Sequence, residues 1–156
     1  MKANVFAIGT ETDPDDPEGY RAGAVKLGPI IGGREIGGSI YDLPPGQSIC
    51  PFHFEYSAEE WLVVLQGRPV VRRPDEDGQR EEELEPGDTV CFPRGPSGAH
   101  KVTNRTGDPV RVLMLSTMPA VDISYYPDSD KYGVWPAPGE GFLVRRTSGV
   151  DYYDGE

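Results

Sequence analysis

Residues 50–67 read CPFHFEYSAEEWLVVLQG and contain His53, one of only two histidines in the chain. Glu55 follows two residues later, then the pair Glu59 and Glu60, then the unbroken apolar run 61–65 and Gly67. Successive side chains on a strand point to opposite faces, so a strand through this segment sets His53 and Glu55 on one side. A tight reversal through 55–58 would bring Glu60, at the head of the next strand, to the ends of those two side chains. The second histidine, His100, follows the Pro/Gly-rich approach FPRGPSGA and opens another strand-like run. Imidazole nitrogen and carboxylate oxygen are ligands that divalent transition metals of intermediate softness accept.

Outward from this stretch, short strand-like runs recur: VFAI, GAVKLG, GSIYDL, RPVVRR, TVCFP, HKVTN, VRVLMLST and FLVRR. Turn residues separate them, among them Pro44-Pro45-Gly46, Pro86-Gly87-Asp88 and the hairpin signal Asp75-Glu76-Asp77-Gly78. The 20 glycines and 16 prolines suit many turns between short strands. No stretch shows sustained helical periodicity. The pattern predicts an all-β sandwich or barrel, and 156 residues suffice for one domain over 1–156 with its own core. The segment 119–156, rich in Tyr, Pro, Gly and Asp, reads as an ordered extension packing on that barrel, and the glycine cluster 28–38 as bends between strands. The runs 61–65 and 112–115 are apolar at consecutive positions, which predicts strands covered on both faces. The cover is either a terminal segment or a second subunit, and a homodimer is expected.

A formal charge of −11 disfavours polyanionic partners, so neither nucleic acid nor an anionic membrane surface is expected. No apolar run approaches the ~20 residues of a membrane span. The start MKANVFAIGTETDPDD has no signal-peptide core, which predicts a cytoplasmic protein. Cys50 and Cys91 are too few for a disulfide framework and read as buried free thiols, Cys50 as an apolar filler rather than a nucleophile. The sequon Asn104-Arg105-Thr106 reads as incidental.

Around the two histidines the chain resembles a cupin. The first cupin motif runs from a glycine through His-x-His to a glutamate and a further glycine. Gly46, His53, Glu60 and Gly67 fall on that frame, with one extra residue between Gly46 and His53. The second motif asks for Gly, Pro-x-Gly, His and Asn, and Gly87, Pro93, Gly95, His100 and Asn104 supply them, stretched by two between Gly95 and His100. The longer loop FPRGPSGAH is similar to that of a subgroup of small bacterial cupins, some described as sugar-phosphate isomerases. The resemblance covers about residues 40–118.

The resemblance implies a double-stranded β-helix, the cupin jelly-roll barrel, with one metal inside. In cupins the ligands are two histidines and the glutamate of the first motif and the histidine of the second. Here Glu55 stands where the second histidine of the first motif is usual. The implied metal set is therefore His53, Glu55, Glu60 and His100, holding a divalent transition metal such as Fe, Mn, Zn or Ni, with Glu55 and Glu60 as the catalytic carboxylates. Glu55 is either a fourth ligand or a base beside a three-ligand site. Without metal, two carboxylates this close inside a barrel need a proton between them, which predicts a raised pKa for one. A metal-free barrel with hydrogen-bonded histidines is the alternative. Arg94 is a candidate for an anionic substrate group at the mouth, and the segment around Tyr125, Tyr126, Asp128, Asp130 and Lys131 a candidate cap.

The expected function is a metal-dependent enzyme acting on a small polar molecule, by isomerase-type proton transfer or dioxygenase-type oxidation. A non-enzymatic barrel that binds or senses a small molecule is the competing class.

Overall fold

The computed structural model of the chain describes residues 1–137 and 139–156. Its strands in chain order are β1 (Gly23–Lys26), β2 (Ile36–Leu43), β3 (Phe54–Glu55), β4 (Glu60–Gln66), β5 (Val70–Asp75) and β6 (Gly78–Glu83). They continue as β7 (Thr89–Phe92), β8 (Lys101–Thr103), β9 (Val110–Thr117), β10 (Asp122–Tyr126), β11 (Lys131–Ala137) and β12 (Glu140–Arg145). One turn of helix, α1 (Gly28–Ile31), interrupts the glycine cluster expected to be bends. The expected all-β class holds.

One wall of the barrel is a five-stranded antiparallel sheet in the order β1-β2-β9-β4-β7. Directly paired residues on neighbouring strands share a face, so register identifies what points inward. One inward row runs Lys26, Ser39, Met114, Leu62 and Val90. The next runs Gly37, Ser116, Glu60 and Phe92. Leu43, Leu62, Val64, Val71, Val110 and Val112 fill the closed end, each at most 1% exposed. Burying each such side chain contributes roughly 1.5–3 kcal/mol relative to leaving it in water. Gly67, after β4, has φ of +77°, and a Cβ there would lie 2.7 Å from the Pro109 carbonyl oxygen, so the motif glycine is required by both conformation and space.

The facing wall is built from β6-β5-β8 and from β12-β11-β10-β3. The segment before β3 joins the two by lying antiparallel to β8, through the bridges Ser48↔Thr103 and His53↔His100. β5 and β6 form the expected hairpin, with Glu76 and Asp77 at its tip between the paired Asp75 and Gly78. Asn104 is fully buried: its side-chain amide donates to the carbonyls of Leu43 and Asp108, and its Oδ1 accepts from the Thr106 N–H and hydroxyl. The motif asparagine therefore staples two turns, and the sequon is spent on that task.

Three expectations change. VFAI is not a strand, because Asn4 holds it in a turn: its side chain accepts from the Phe6 N–H and its carbonyl from Ala7 and Ile8. Cys50 and Cys91 are both free, but Cys50 is only half-buried and Cys91 is exposed on the outer side of β7 rather than buried. The runs 61–65 and 112–115 do alternate in burial, with Leu62, Val64, Val112 and Met114 inside. Among the described residues, their outward side chains are covered only at one end. There Arg111 donates to the carbonyls of Val5 and Ile8 and pairs with Asp42, so the N-terminal segment lies across the sheet. At the other end Trp61 stays 46% exposed. No helix among the described residues is long and apolar enough to cross a membrane.

Candidate metal centre

His53 and His100 are brought together by backbone geometry. Each donates its N–H to the other's carbonyl, at 3.1 and 2.8 Å, and the rings sit 4.8 Å apart. Both side chains are nearly sealed from solvent, at 7% and 2% exposure. His53 Nδ1 lies 3.0 Å from the Pro51 carbonyl oxygen, and His100 Nδ1 lies 2.9 Å from that of Gly98. A carbonyl oxygen can only accept, so each Nδ1 carries the proton and each neutral ring turns the lone pair of Nε2 inward. That orientation by a carbonyl at the far nitrogen is the one found in metal-ligating histidines. Gly98 is indispensable to it: a Cβ there would lie 1.7 Å from the Pro93 carbonyl oxygen. Phe92 stacks on the His100 ring at 3.8 Å and Tyr126 on the His53 ring at 5.6 Å, fixing both planes.

Glu60, inward at the start of β4, places Oε2 3.4 Å from His100 Nε2. With the proton on Nδ1, this contact sets a lone pair against a carboxylate, and needs a proton or a cation between them. Burial holds His100 neutral, its pKa driven down to about 3, and lowers that of His53 as well. Burial also pushes Glu60 up to about 7, with the nearby Asp122 adding to the effect. Donor atoms of His53, Glu60 and His100 all lie within 4.8 Å of one another. Metal–ligand bonds of ~2.0–2.2 Å allow donors on one ion to be ~4 Å apart, so small side-chain rotations suffice to close the set. The donors, their tautomers and their burial fit a divalent ion.

Glu55 shares the cavity but stands outside that cluster of three. Its strand β3 pairs with β10, setting Glu55 opposite Ser124, whose hydroxyl lies 3.4 Å from Glu55 Oε1. Burial, then the neighbouring Glu60 and Asp122, raise Glu55 to about 8. Both glutamates, rather than one, are thus shifted toward the protonated form. Cys50 Sγ lies 3.6 Å from His53 Nδ1, but burial pushes the thiol up and keeps it protonated. The cavity of about 230 Å³ is lined by these groups together with Tyr41, Ile49, Val102 and Met114.

Sequence reasoning missed Asp122 and Ser124. Asp122 anchors the entry to β10, its Oδ1 accepting from the N–H groups of Ser57 and Ile123. No local signal could place them here, because the β3–β10 pairing joins segments nearly 70 residues apart. In the candidate cap, Tyr126 reaches the site through its stack on His53. Asp128 instead holds Arg72 in a two-pronged ion pair, and Tyr125 donates to Asp130. Arg94 is exposed and lines neither the metal-type cavity nor the larger one adjoining it.

Comparison with known proteins agrees with this fold. The chain is similar to a candidate sugar phosphate isomerase from Acidithiobacillus ferrooxidans, with TM-score 0.80 and 23% identity over 94% of this chain and 91% of that one. It is also similar to a cupin-superfamily sugar phosphate isomerase from Silicibacter pomeroyi, with TM-score 0.79 and 24% identity over 99% and 98% of the two chains. The polyketide cyclase RemF from Streptomyces resistomycificus aligns with TM-score 0.60 and 24% identity, over 75% of this chain and 78% of its own. At these identities the likeness is one of fold. No curated protein matches the chain. The cupin domain model matches residues 39–116, half of the sequence, and includes every donor of the cluster. The chain belongs to the cupin family.

Proposed function

We propose that this protein is a metal-dependent enzyme that moves a proton on a small hydroxylated carbonyl compound bound in the barrel. His53, Glu60 and His100 hold the divalent ion, of the Fe, Mn, Zn or Ni kind, and Glu55 carries the proton. The observation that supports this most is the unlike setting of the two glutamates. Glu60 lies against His100 within the donor cluster, whereas Glu55 lies beside it, hydrogen-bonded to Ser124. A carboxyl beside the ion but outside its donor set is suited to take and return a proton in one cycle. When bound, the ion supplies polarisation of the carbonyl oxygen, which acidifies the adjacent C–H. Tyr41, its phenol held protonated by burial with a pKa of about 12, offers a hydrogen-bond donor in the same cavity. The sugar phosphate isomerases among the similar structures are in keeping with this chemistry.

The test is hydrogen exchange. Metal-loaded protein is incubated in D2O with a panel of aldoses, ketoses and their phosphates, and deuterium at the carbon next to the carbonyl is read by mass spectrometry. Incorporation that Glu55→Gln abolishes, with metal content retained, is expected; no incorporation into any compound contradicts the reading. A second reading follows from the two-histidine, one-carboxylate set, which is also that of ferrous oxygenases. Oxygen uptake by the iron-loaded protein with an organic substrate would favour it.

A further inference from the structure

The cavity at His53, Glu60 and His100 shares Tyr41, Glu60 and Met114 with a larger neighbour of about 390 Å³, so the two adjoin. Together they reach the size usual for small-molecule sites. The larger one carries Lys26, Arg34, Ser39 and Ser116. Register explains their convergence. Lys26 lies at the end of the edge strand β1, paired with Ser39 and so on the inward face, and Ser116 pairs with Glu60 in the next row. Arg34 comes from the loop between α1 and β2.

The charges here are unusual for this molecule. Its net charge is −11, and eight of its eleven arginines, Arg68, Arg72 and Arg111 among them, lie in ion pairs with carboxylates. Among the described residues neither Lys26 nor Arg34 lies in an ion pair. Two uncommitted cations thus flank a cavity whose inner end is lined by the carboxyl groups of Glu55 and Glu60. The two cations hold an anionic group at the outer end, which leaves the rest of the ligand to reach the inner one. Two cations and two hydroxyls suit a phosphate, which carries close to two charges and three acceptor oxygens, better than a singly charged carboxylate.

We propose that Lys26 and Arg34, with Ser39 and Ser116, form an anion subsite that holds the phosphate of a small phosphorylated hydroxy-carbonyl compound while its carbonyl end reaches the His53–Glu60–His100 cluster. The subsite names the substrate class of the proposed enzyme and rests on that reading of the cavity, but its test is separate. Calorimetric titration with glycerol 3-phosphate, inorganic phosphate and neutral glycerol compares the metal-loaded wild type with Lys26→Ala/Arg34→Ala. Melting temperature and metal content are measured on both proteins. Phosphate binding weakened at least tenfold in the variant, with melting and metal unchanged, is expected. Three results overturn the subsite: no phosphate binding by the wild type, equal affinity in the variant, or loss of wild-type binding on chelation, which would put the phosphate on the ion. A failed subsite leaves the metal content untouched, whereas a failed metal centre shows as absent metal, so the two are told apart.

Discussion

His53 and His100 face each other across an antiparallel bridge in which each backbone N–H meets the other's carbonyl oxygen. The two imidazoles are therefore set by main-chain pairing between segments 47 residues apart, and each is then locked by a carbonyl behind its Nδ1. A donor set built this way is organised before any ligand arrives, because no rotamer search remains to be made.

Gly98 is the most sensitive point of that arrangement. Gly98→Ala must move backbone, since the added carbon would overlap the Pro93 carbonyl, and moving it displaces the acceptor of His100 Nδ1. A stability loss of roughly 1–3 kcal/mol is expected in urea unfolding, together with metal affinity weakened roughly 10–100-fold. Unchanged affinity would mean that the carbonyl does not position the ring.

The metal-free protein has a signature in pH. Glu55 and Glu60 have pKa values of about 8 and about 7 when folded, against 4.5 in the unfolded chain. Between those limits the native state binds more protons than the unfolded one, so these groups make stability fall as pH rises. The lowered histidines act oppositely, and their effect is complete once pH passes their ordinary value of 6.5. From pH 6.5 to 8 only the carboxyl effect remains, and the melting temperature of metal-free protein should drop. Glu55→Gln should flatten that drop, and metal loading should remove it, because the ion takes the place of the proton.

Asn104→Ala tests the second motif's asparagine as a structural staple. It strips partners from the carbonyls of Leu43 and Asp108 and from Thr106. A loss of roughly 2–3 kcal/mol is expected by chemical denaturation, since buried polar groups would go unpaired. A cost near zero would show that water replaces the amide freely.

The open end of the outer sheet face predicts self-association. Trp61, Leu115 and Ile36 line one apolar groove there, and a second copy would bury them. Analytical ultracentrifugation should give a dimer for the wild type and a monomer for Trp61→Glu/Leu115→Glu. A wild-type monomer at micromolar concentration would leave that face without a partner of its own kind.

The barrel was legible in the sequence where signals are local: turn residues at fixed offsets and short strand-like runs between them, although the alternation within 61–65 and 112–115 was hidden by their consecutive apolar residues. His53, Glu60 and His100 converge, Glu60 after the short reversal its spacing suggested and His100 as the resemblance to cupins implied. What was not legible depends on distant pairing. β10 lies beside β3 through residues with no apolar alternation, so Ser124 and Asp122 could not be assigned to Glu55 from composition. Lys26 and Arg34 carry no motif at all; only the register of β1 on β2 turns Lys26 inward. Arg94, by contrast, stood next to a motif residue and faces solvent.

The most direct test of the metal centre is elemental analysis of untagged protein prepared without chelators, compared with His53→Ala and His100→Ala. The account predicts about one divalent transition-metal ion per chain in the wild type and a loss of it in both variants. Equal trace metal in all three proteins would contradict it.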